Sequence, residues 1–447
     1  MGGCRYGMVN TLVEIASILC SISQSNPRGA AHACSGNSFR GGVSPRFTRR
    51  PKGQSTVEYV LIIAVIGLVI LIAGPWVSSA IRNQFNLVSG AIGSGTTGEN
   101  FYDPEDIPDP ENGTAFAVYS EDDRSLMFYK RRGVPSVGDM FNCRRVTAVY
   151  TGFEDDVYLA DESSSYNGAT NTPWYEARDS IAAIDIVDDG IKPKSMAFWF
   201  QHLSELETVT GLSKLDTSQA TSFQHTFAYT ESLQSVDVSS LDTSASRSFD
   251  ACFTHSGITD IDLSSWNVEN SNSMGWIFTG CYSLKAVKMP HSGTGDGLGL
   301  SSAFAAATSL QSVDMSGFRP SRLRSISDLF SDCWNLVEVK GIEGWDTSKC
   351  ASFDRSFRSC ALQELDISSW TMPADATSEN MLDNMSSIKS VSVGAGFELN
   401  RCALPAQSFT GADGKWYSVT TGKGYAPADI PSGRADTYVA SRDLLAR

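Results

Sequence analysis

The chain has 447 residues, 41% of them hydrophobic, and carries 50 Asp and Glu against 35 Lys and Arg, a net charge of −15. That length allows several domains. The acidic balance disfavours nucleic acid as a partner, because phosphate binding needs clustered basic side chains.

Residues 1–53 hold seven basic groups against one acid, Glu14, and are rich in Gly, Ser and Arg. They read as a leader, disordered or cleaved, and no fold is assigned to them. Removing their +6 leaves −21 on residues 54–447. The uncharged run 59–81 is 23 residues long. As a helix it reaches ~34 Å, enough to cross a hydrocarbon core. Arg46, Arg49, Arg50 and Lys52 precede it and only Arg82 follows closely, so the excess of basic residues holds the N-terminal flank in the cytoplasm. The expected placement is a single pass through the cell membrane, spanned within residues 54–88, with the rest of the chain extracellular. A polar stripe, the mark of a helix buried in a soluble core, is absent from the run.

Just ahead of it stands Lys52-Gly53-Gln54-Ser55-Thr56-Val57-Glu58-Tyr59. Cleavage after Gly53 would make Gln54 the amino terminus and Glu58 the fifth residue, a carboxylate one helical turn from a free ammonium. An ionised Glu at the edge of an apolar span calls for such a partner. In these residues the chain resembles the amino-terminal segment of Flp-type and related type IV-like pilins. The leader is longer and the mature chain larger than in that family. The resemblance implies processing by a prepilin peptidase and pairing of Glu58 with a neighbouring subunit's amino terminus; without it, the segment is an uncleaved signal anchor.

Residues 89–113 turn to Gly, Ser and Thr and then to Asp103-Pro104-Glu105-Asp106-Ile107-Pro108-Asp109-Pro110, a flexible piece followed by a stiffer, self-repelling one. This is a stalk, and its acids lack the ligand spacing of an EF-hand loop. Residues 114–190, with β-rich stretches at 115–119, 125–130, 145–150 and 181–187, are expected to cap the array that begins at 191.

From 191 to 395 large apolar residues recur in pairs four apart: Met196/Phe200, Phe223/Phe227, Phe249/Phe253, Met274/Phe278, Leu300/Phe304, Ile326/Phe330, Phe353/Phe357 and Met381/Met385. The second members advance by 25 to 28 residues, the period of a stacked repeat. Spacing of four predicts a short helix, capped by the preceding Ser or Asn on seven of the eight rungs. About nine residues on come apolar-polar-apolar triplets such as 236–238, 261–263, 287–289, 313–315, 365–367 and 391–393, which predict short strands with one buried face. The fold class expected is α/β: a leucine-rich-repeat-like solenoid of short strands and short helices with small β-rich caps.

Ile261-Asp262-Leu263-Ser264-Ser265-Trp266-Asn267-Val268 and Phe278-Thr279-Gly280-Cys281-Tyr282-Ser283-Leu284 resemble the unit of BspA-type bacterial surface proteins with 26-residue repeats. The resemblance implies a surface protein that binds a host or bacterial protein or a glycan. Residues 396–447 close the chain, with 415–417 and 422–425 expected as a small β cap.

Aligning the strands gives an outward column, Thr210, Asp237, Asp262, Lys288, Asp314, Lys340, Asp366 and Ser392. Rungs lie ~4.8 Å apart, so opposite charges pair and like charges repel. The signs alternate from Asp262 to Asp366, as in a self-neutralised ladder; Asp237 beside Asp262 is the one like-signed contact, where a cation or amine would sit. Asp237, Asp262, Lys288, Asp314, Lys340 and Asp366 are the candidate binding stripe. Cys281, Cys333 and Cys360 share a small slot and are expected as buried thiols, with a bond between Cys333 and Cys360 geometrically open. Trp266, Trp345 and Trp370 recur at one phase with Leu241 and Phe318, a packing ladder. His32, His202, His225, His255 and His291 share no phase, Cys-x-x-Cys is missing, and no Lys-Ser/Thr follows Gly293–Gly299. No enzyme activity, metal or cofactor is therefore expected.

Overall fold

The structure, a computed structural model, describes residues 108–142, 144–155, 172–293, 297–321 and 323–446. Two compact units divide the chain, Met1–Ile81 and Arg82–Arg447, and all described residues belong to the second. Gly53, Gln54, Glu58 and the run 59–81 lie outside them. Among the described residues, no helix is long and apolar enough to cross a membrane.

The chain enters through strands β1 (Thr114–Ser120) and β2 (Ser125–Arg131), a two-residue hairpin β3 (Met140–Phe141) and β4 (Arg144–Arg145), then β5 (Ala148–Thr151) and β6 (Ala183–Ile186). The rung strands come next, one on every rung but that of residues 236–238: β7 (Thr208–Thr210), β8 (Asp260–Asp262), β9 (Ala286–Lys288), β10 (Ser312–Asp314), β11 (Glu338–Lys340), β12 (Glu364–Ile367) and β13 (Ser390–Val393). The chain ends in β14 (Trp416–Ser418), β15 (Gly424–Tyr425) and β16 (Asp436–Val439).

The first sheet runs β5-β1-β2-β6-β7, the second β11-β10-β9-β8 and the third β12-β13-β16-β14-β15. Rung strands pair in parallel, whereas the pairs β1–β2 and β13–β16 are antiparallel. Antiparallel strands thus cover both ends of the parallel stack, where an open edge would otherwise template further pairing. Strand β16, which closes the last rung, is not among the strands that the sequence pattern predicts.

The predicted capped helices do not form. Among the described residues every helical turn is 3-10. Across the first apolar pair, Met196, Phe198, Phe200 and His202 donate their amides to the carbonyls of Ser222, Gln224, Thr226 and Ala228 on the next rung at 2.9 to 3.0 Å, while Trp199 and Gln201 bond back three residues. A helix closes all such bonds within itself; here alternate amides turn outward along the stack. Phe198 (φ 64°) and His202 (φ 60°) are left-handed, and so are His225/Tyr229, Ala251/His255, Asp328/Asp332 and Arg355/Ser359 at the same two positions. Each non-glycine residue held there costs ~1–2 kcal/mol, offset by bonds between rungs. The preceding serines do accept an amide, two residues on, as in Ser222 from Gln224 and Ser352 from Asp354. They cap a turn and not a helix.

Phe200, Phe227, Phe253, Phe278, Phe304, Phe330 and Phe357 stack in one file with ring centroids 5.2 to 5.7 Å apart, and all are buried. Trp266, Trp345 and Trp370 are buried beside them with Leu241 and Phe318, a packing ladder and not a surface platform. Cys281, Cys333 and Cys360 are free, and each thiol donates to a Phe carbonyl of the rung before, at 2.9, 3.0 and 3.1 Å. Burial pushes the Cys281 thiol up to about 12 and those of Cys333 and Cys360 in the same direction.

The triplet at 236–238 is not a strand, which corrects the expectation for Asp237. Ladders also break between β11 and β12. Strands β8 and β12 each begin a new sheet; the connections ahead of them, Phe253 to Ile258 and Phe357 to Leu362, span five positions where the five other Phe rungs use six, but the last, Met385 to Ile388, spans three and the β12–β13 ladder beyond it is intact. Gly341, at φ 87°, replaces the second apolar residue of the β11 triplet, and a Cβ there would lie 2.4 Å from the Met315 carbonyl.

Contrary to the expectation of no shared phase, His202 and His255 both stand two residues after the Phe of their rung: on the turn side of the first three rungs His202, Tyr229 and His255 stack at 4.4 and 5.0 Å, and His225 stacks on Phe198 at 5.1 Å. Burial lowers His225 to about 4 and shifts His202 and His255 the same way. The charged groups near them are Glu231 for His202 and His255, with Arg178 and Asp179 for His202; the titratable neighbour of His225 is His202.

These contacts set two measurable outcomes. Phe278→Ala should lower stability by ~3–5 kcal/mol in urea unfolding, and a cost under 1 kcal/mol would contradict a shared aromatic core. Because a histidine with a depressed folded pKa is stabilising when neutral, stability is complete above the ordinary value of 6.5 and falls as pH drops toward about 4. His225→Phe should remove ~3 kcal/mol of that loss, read as a flatter midpoint-against-pH curve between those values.

Candidate functional site

The middle sheet brings four members of the predicted stripe together. Asp262 lies opposite Lys288, Lys288 opposite Asp314, and Asp314 opposite Lys340. Their strands form because the central residue of each three-residue strand points inward: Ile261, Val287 and Val313 are buried and Val339 is partly so. Period two then turns both flanking residues out. The second outward column, Asp260, Ala286, Ser312 and Glu338, is in register beside the first. It is missing from the predicted stripe, although the same alternation, counted one residue earlier, exposes it.

Together the two columns line an open depression of about 510 Å³ whose floor is the small side chains Ala286 and Ser312 and whose rim carries Asp260, Asp262, Lys288, Asp314, Glu338 and Lys340. The charges do not neutralise as a simple ladder. Lys288 Nζ reaches Asp262 Oδ2 at 3.0 Å, but Lys340 Nζ reaches Glu338 Oε1 of its own strand at 3.0 Å. Asp314 therefore sits between two lysines, each of which has another carboxylate. Both ion pairs are about half exposed, where such contacts are worth ~0–1 kcal/mol and open at little cost to an incoming group.

The aspartates of the column have a structural duty as well. Asp237, Asp262, Asp314 and Asp366 each accept the amide two residues on, from Ser239, Ser264, Ser316 and Ser368, at 2.9 to 3.0 Å. These Asx turns end the strand. Bonds from Ser264, joined by Lys288, hold the Asp262 carboxyl at about 2; bonds from Ser316 and the charge of Lys340 lower Asp314, and bonds from Ser239 lower Asp237. The expected like-charge contact of Asp237 with Asp262 is not a strand pairing, since 236–238 is unpaired there, and Asp262 is engaged by Lys288.

Asp366 belongs to the third sheet, opposite Ser392. The column runs on into both caps: Thr210 Oγ1 donates to Asp185 Oδ1 at 2.8 Å, and Ser392 and Thr437 hydroxyls meet at 2.8 Å. Among the described residues no group of three or more His, Cys, Asp or Glu is placed to hold a metal ion. Gly53, Gln54 and Glu58 lie outside the described residues, so the processing motif has no geometry to add.

A family model described as "Mycoplasma protein of unknown function, DUF285" matches residues 193–289 and 298–413. That is the array, almost from its first apolar pair to just past its last. The chain is a repeat protein of the solenoid class, with about eight turns and few helices. A solved leucine-rich repeat protein from Eubacterium ventriosum aligns at 15% identity over 70% of this chain and 97% of that one, with a TM-score of 0.20, too low to carry weight. No curated protein matches the chain.

Lys288→Ala should change unfolding free energy by less than ~1 kcal/mol. Asp262→Ala should cost more, because it also strips the Ser264 amide of its acceptor. The reverse order in paired urea titrations would show that the ion pair, and not the turn, fixes this carboxylate.

Proposed function

We propose that the chain is a bacterial cell-surface protein of BspA-like type, anchored by a single N-terminal membrane helix, whose repeat array binds a host or bacterial surface protein or a glycan. The observation that carries this reading is the depression on the middle sheet. Its walls are four strands paired in one ladder, its floor is small, and its charged rim is held by pairs too exposed to be structural necessities. The basic flank ahead of the apolar run 59–81 supports the anchor and its orientation. The array's regular outward columns suit adhesion better than catalysis, which needs convergent acid, base or nucleophile groups.

Full-length protein in detergent, applied to glycan and surface-protein arrays, is expected to give a ligand whose affinity falls at least tenfold with Asp314→Lys or Lys340→Glu while the urea midpoint holds. Ligands indifferent to both substitutions would remove the depression as the site.

One sequence feature favours a second reading. Gly53, Gln54 and Glu58 stand where a prepilin peptidase would cut and where a pilin-like subunit would engage its neighbour, so the array would be the decoration of a fibre. A detergent-resistant ladder of the protein, abolished by Glu58→Ala, supports that reading. An uncut N-terminus by mass spectrometry, with a monomeric band on extraction, excludes it.

A further inference from the structure

Eight large hydrophobic side chains are exposed among the described residues, and three of them crowd into seven positions of the N-terminal cap: Val134 at 41%, Val137 at 67% and Met140 at 69%. They are not on a slack loop. Ser136 donates its amide to Asp139 Oδ2 at 2.8 Å, Gly138 to the Val146 carbonyl at 2.9 Å, and Val146 to the Asp139 carbonyl at 2.9 Å. Behind them a separate small core of Phe116, Val118, Met127, Tyr129, Phe141 and Val146 fixes the hairpin. Apolar side chains held outward on a braced hairpin, with no neighbour among the described residues to cover them, mark a contact surface.

Basic residues rim this tip in an otherwise acidic chain. Arg132 is mostly exposed while reaching Asp109 at 2.7 Å, and Arg145 is exposed, its amide bonded to Asp122; Arg144 is largely covered and paired with Asp123, and Asp139 stands within the tip itself. The chain enters the fold close to the tip. Pro108 bridges Arg131, and Asp109 donates to the Lys130 carbonyl at 2.9 Å, so the segment coming from the apolar run joins the fold beside the residues that lead into the tip. Only 26 residues separate Ile81 from Pro108. The tether keeps the tip at high effective concentration over any surface in which the run is embedded, so a few apolar side chains suffice.

We infer that residues 133–140 dock on the lipid surface from which the chain emerges, with Val134, Val137 and Met140 entering the headgroup boundary and the exposed Arg132 and Arg145 meeting lipid phosphates. This rests on the membrane-anchor reading above. Aliphatic side chains with a guanidinium rim fit a bilayer interface; a protein hot spot would centre on exposed Trp or Tyr, and the tip has neither. Docking would hold the cap, and with it the first rung, close to the membrane.

The test is site-specific photo-crosslinking of the full chain in native membranes, with a benzophenone amino acid at Val137 or Met140 and, as equally exposed controls, at Val337 or Val419, which are 60% and 49% exposed. Lipid adducts at 137 and 140 at least fivefold above those at 337 and 419 are expected, with Val137→Asp lowering the yield at 140. Protein adducts in place of lipid, or equal lipid labelling at all four positions, overturn the docking. A carbonate wash separates the two ideas: chain retained without lipid adducts ends the docking alone, whereas chain released ends the anchor and the docking together.

Discussion

The file of stacked phenylalanines, from Phe200 to Phe357, is the contact on which the rest of the array depends. No rung is wide enough to bury an aromatic ring within itself, so each Phe covers the one before and is covered by the one after. Each stacked pair adds ~0.5–1.5 kcal/mol beyond the area it buries. The strands on one side and the turn segments on the other are held in register by this file, since a slip of either would leave a ring facing a gap. Stability is accordingly a sum over neighbours, with the caps supplying the missing neighbour at each end.

That dependence explains where the structure tolerates irregularity. Strand ladders end ahead of β8 and between β11 and β12, yet the aromatic file runs on unbroken through Phe253–Phe278 and Phe330–Phe357. Sheet hydrogen bonds are interrupted and the core is not. It also explains why exposed positions are free to vary in charge and size. Asp, Lys, Ala and Ser alternate on the strand side because nothing in the file touches them, and this freedom is what makes the depression over β8–β11 available for recognition.

Much of this organisation is legible from residues alone. The apolar pairs fix the period, the register and the file; the triplets beginning at Ile261, Val287 and Val313 fix three strands and three of the stripe residues. The predicted helix fails for a definite reason. A spacing of four puts Phe223 and Phe227 on one face both of a helix and of the alternating left- and right-handed turn found here, and only the destination of the amides distinguishes them. At Asp237 the triplet pattern is intact and the strand is still missing, because pairing depends on what the neighbouring rung supplies.

The sequence by itself determined which side chains are buried and in what order the rungs follow, because burial is set by polarity and spacing, both local properties. The tertiary structure decided where backbone amides go, which lysine meets which carboxylate, and that Asp260 and Glu338 join the rim beside Asp314. Apart from the Lys340–Glu338 pair, which lies within one strand, those outcomes depend on distances between residues about 26 apart in the chain, which exist only once the rungs have stacked.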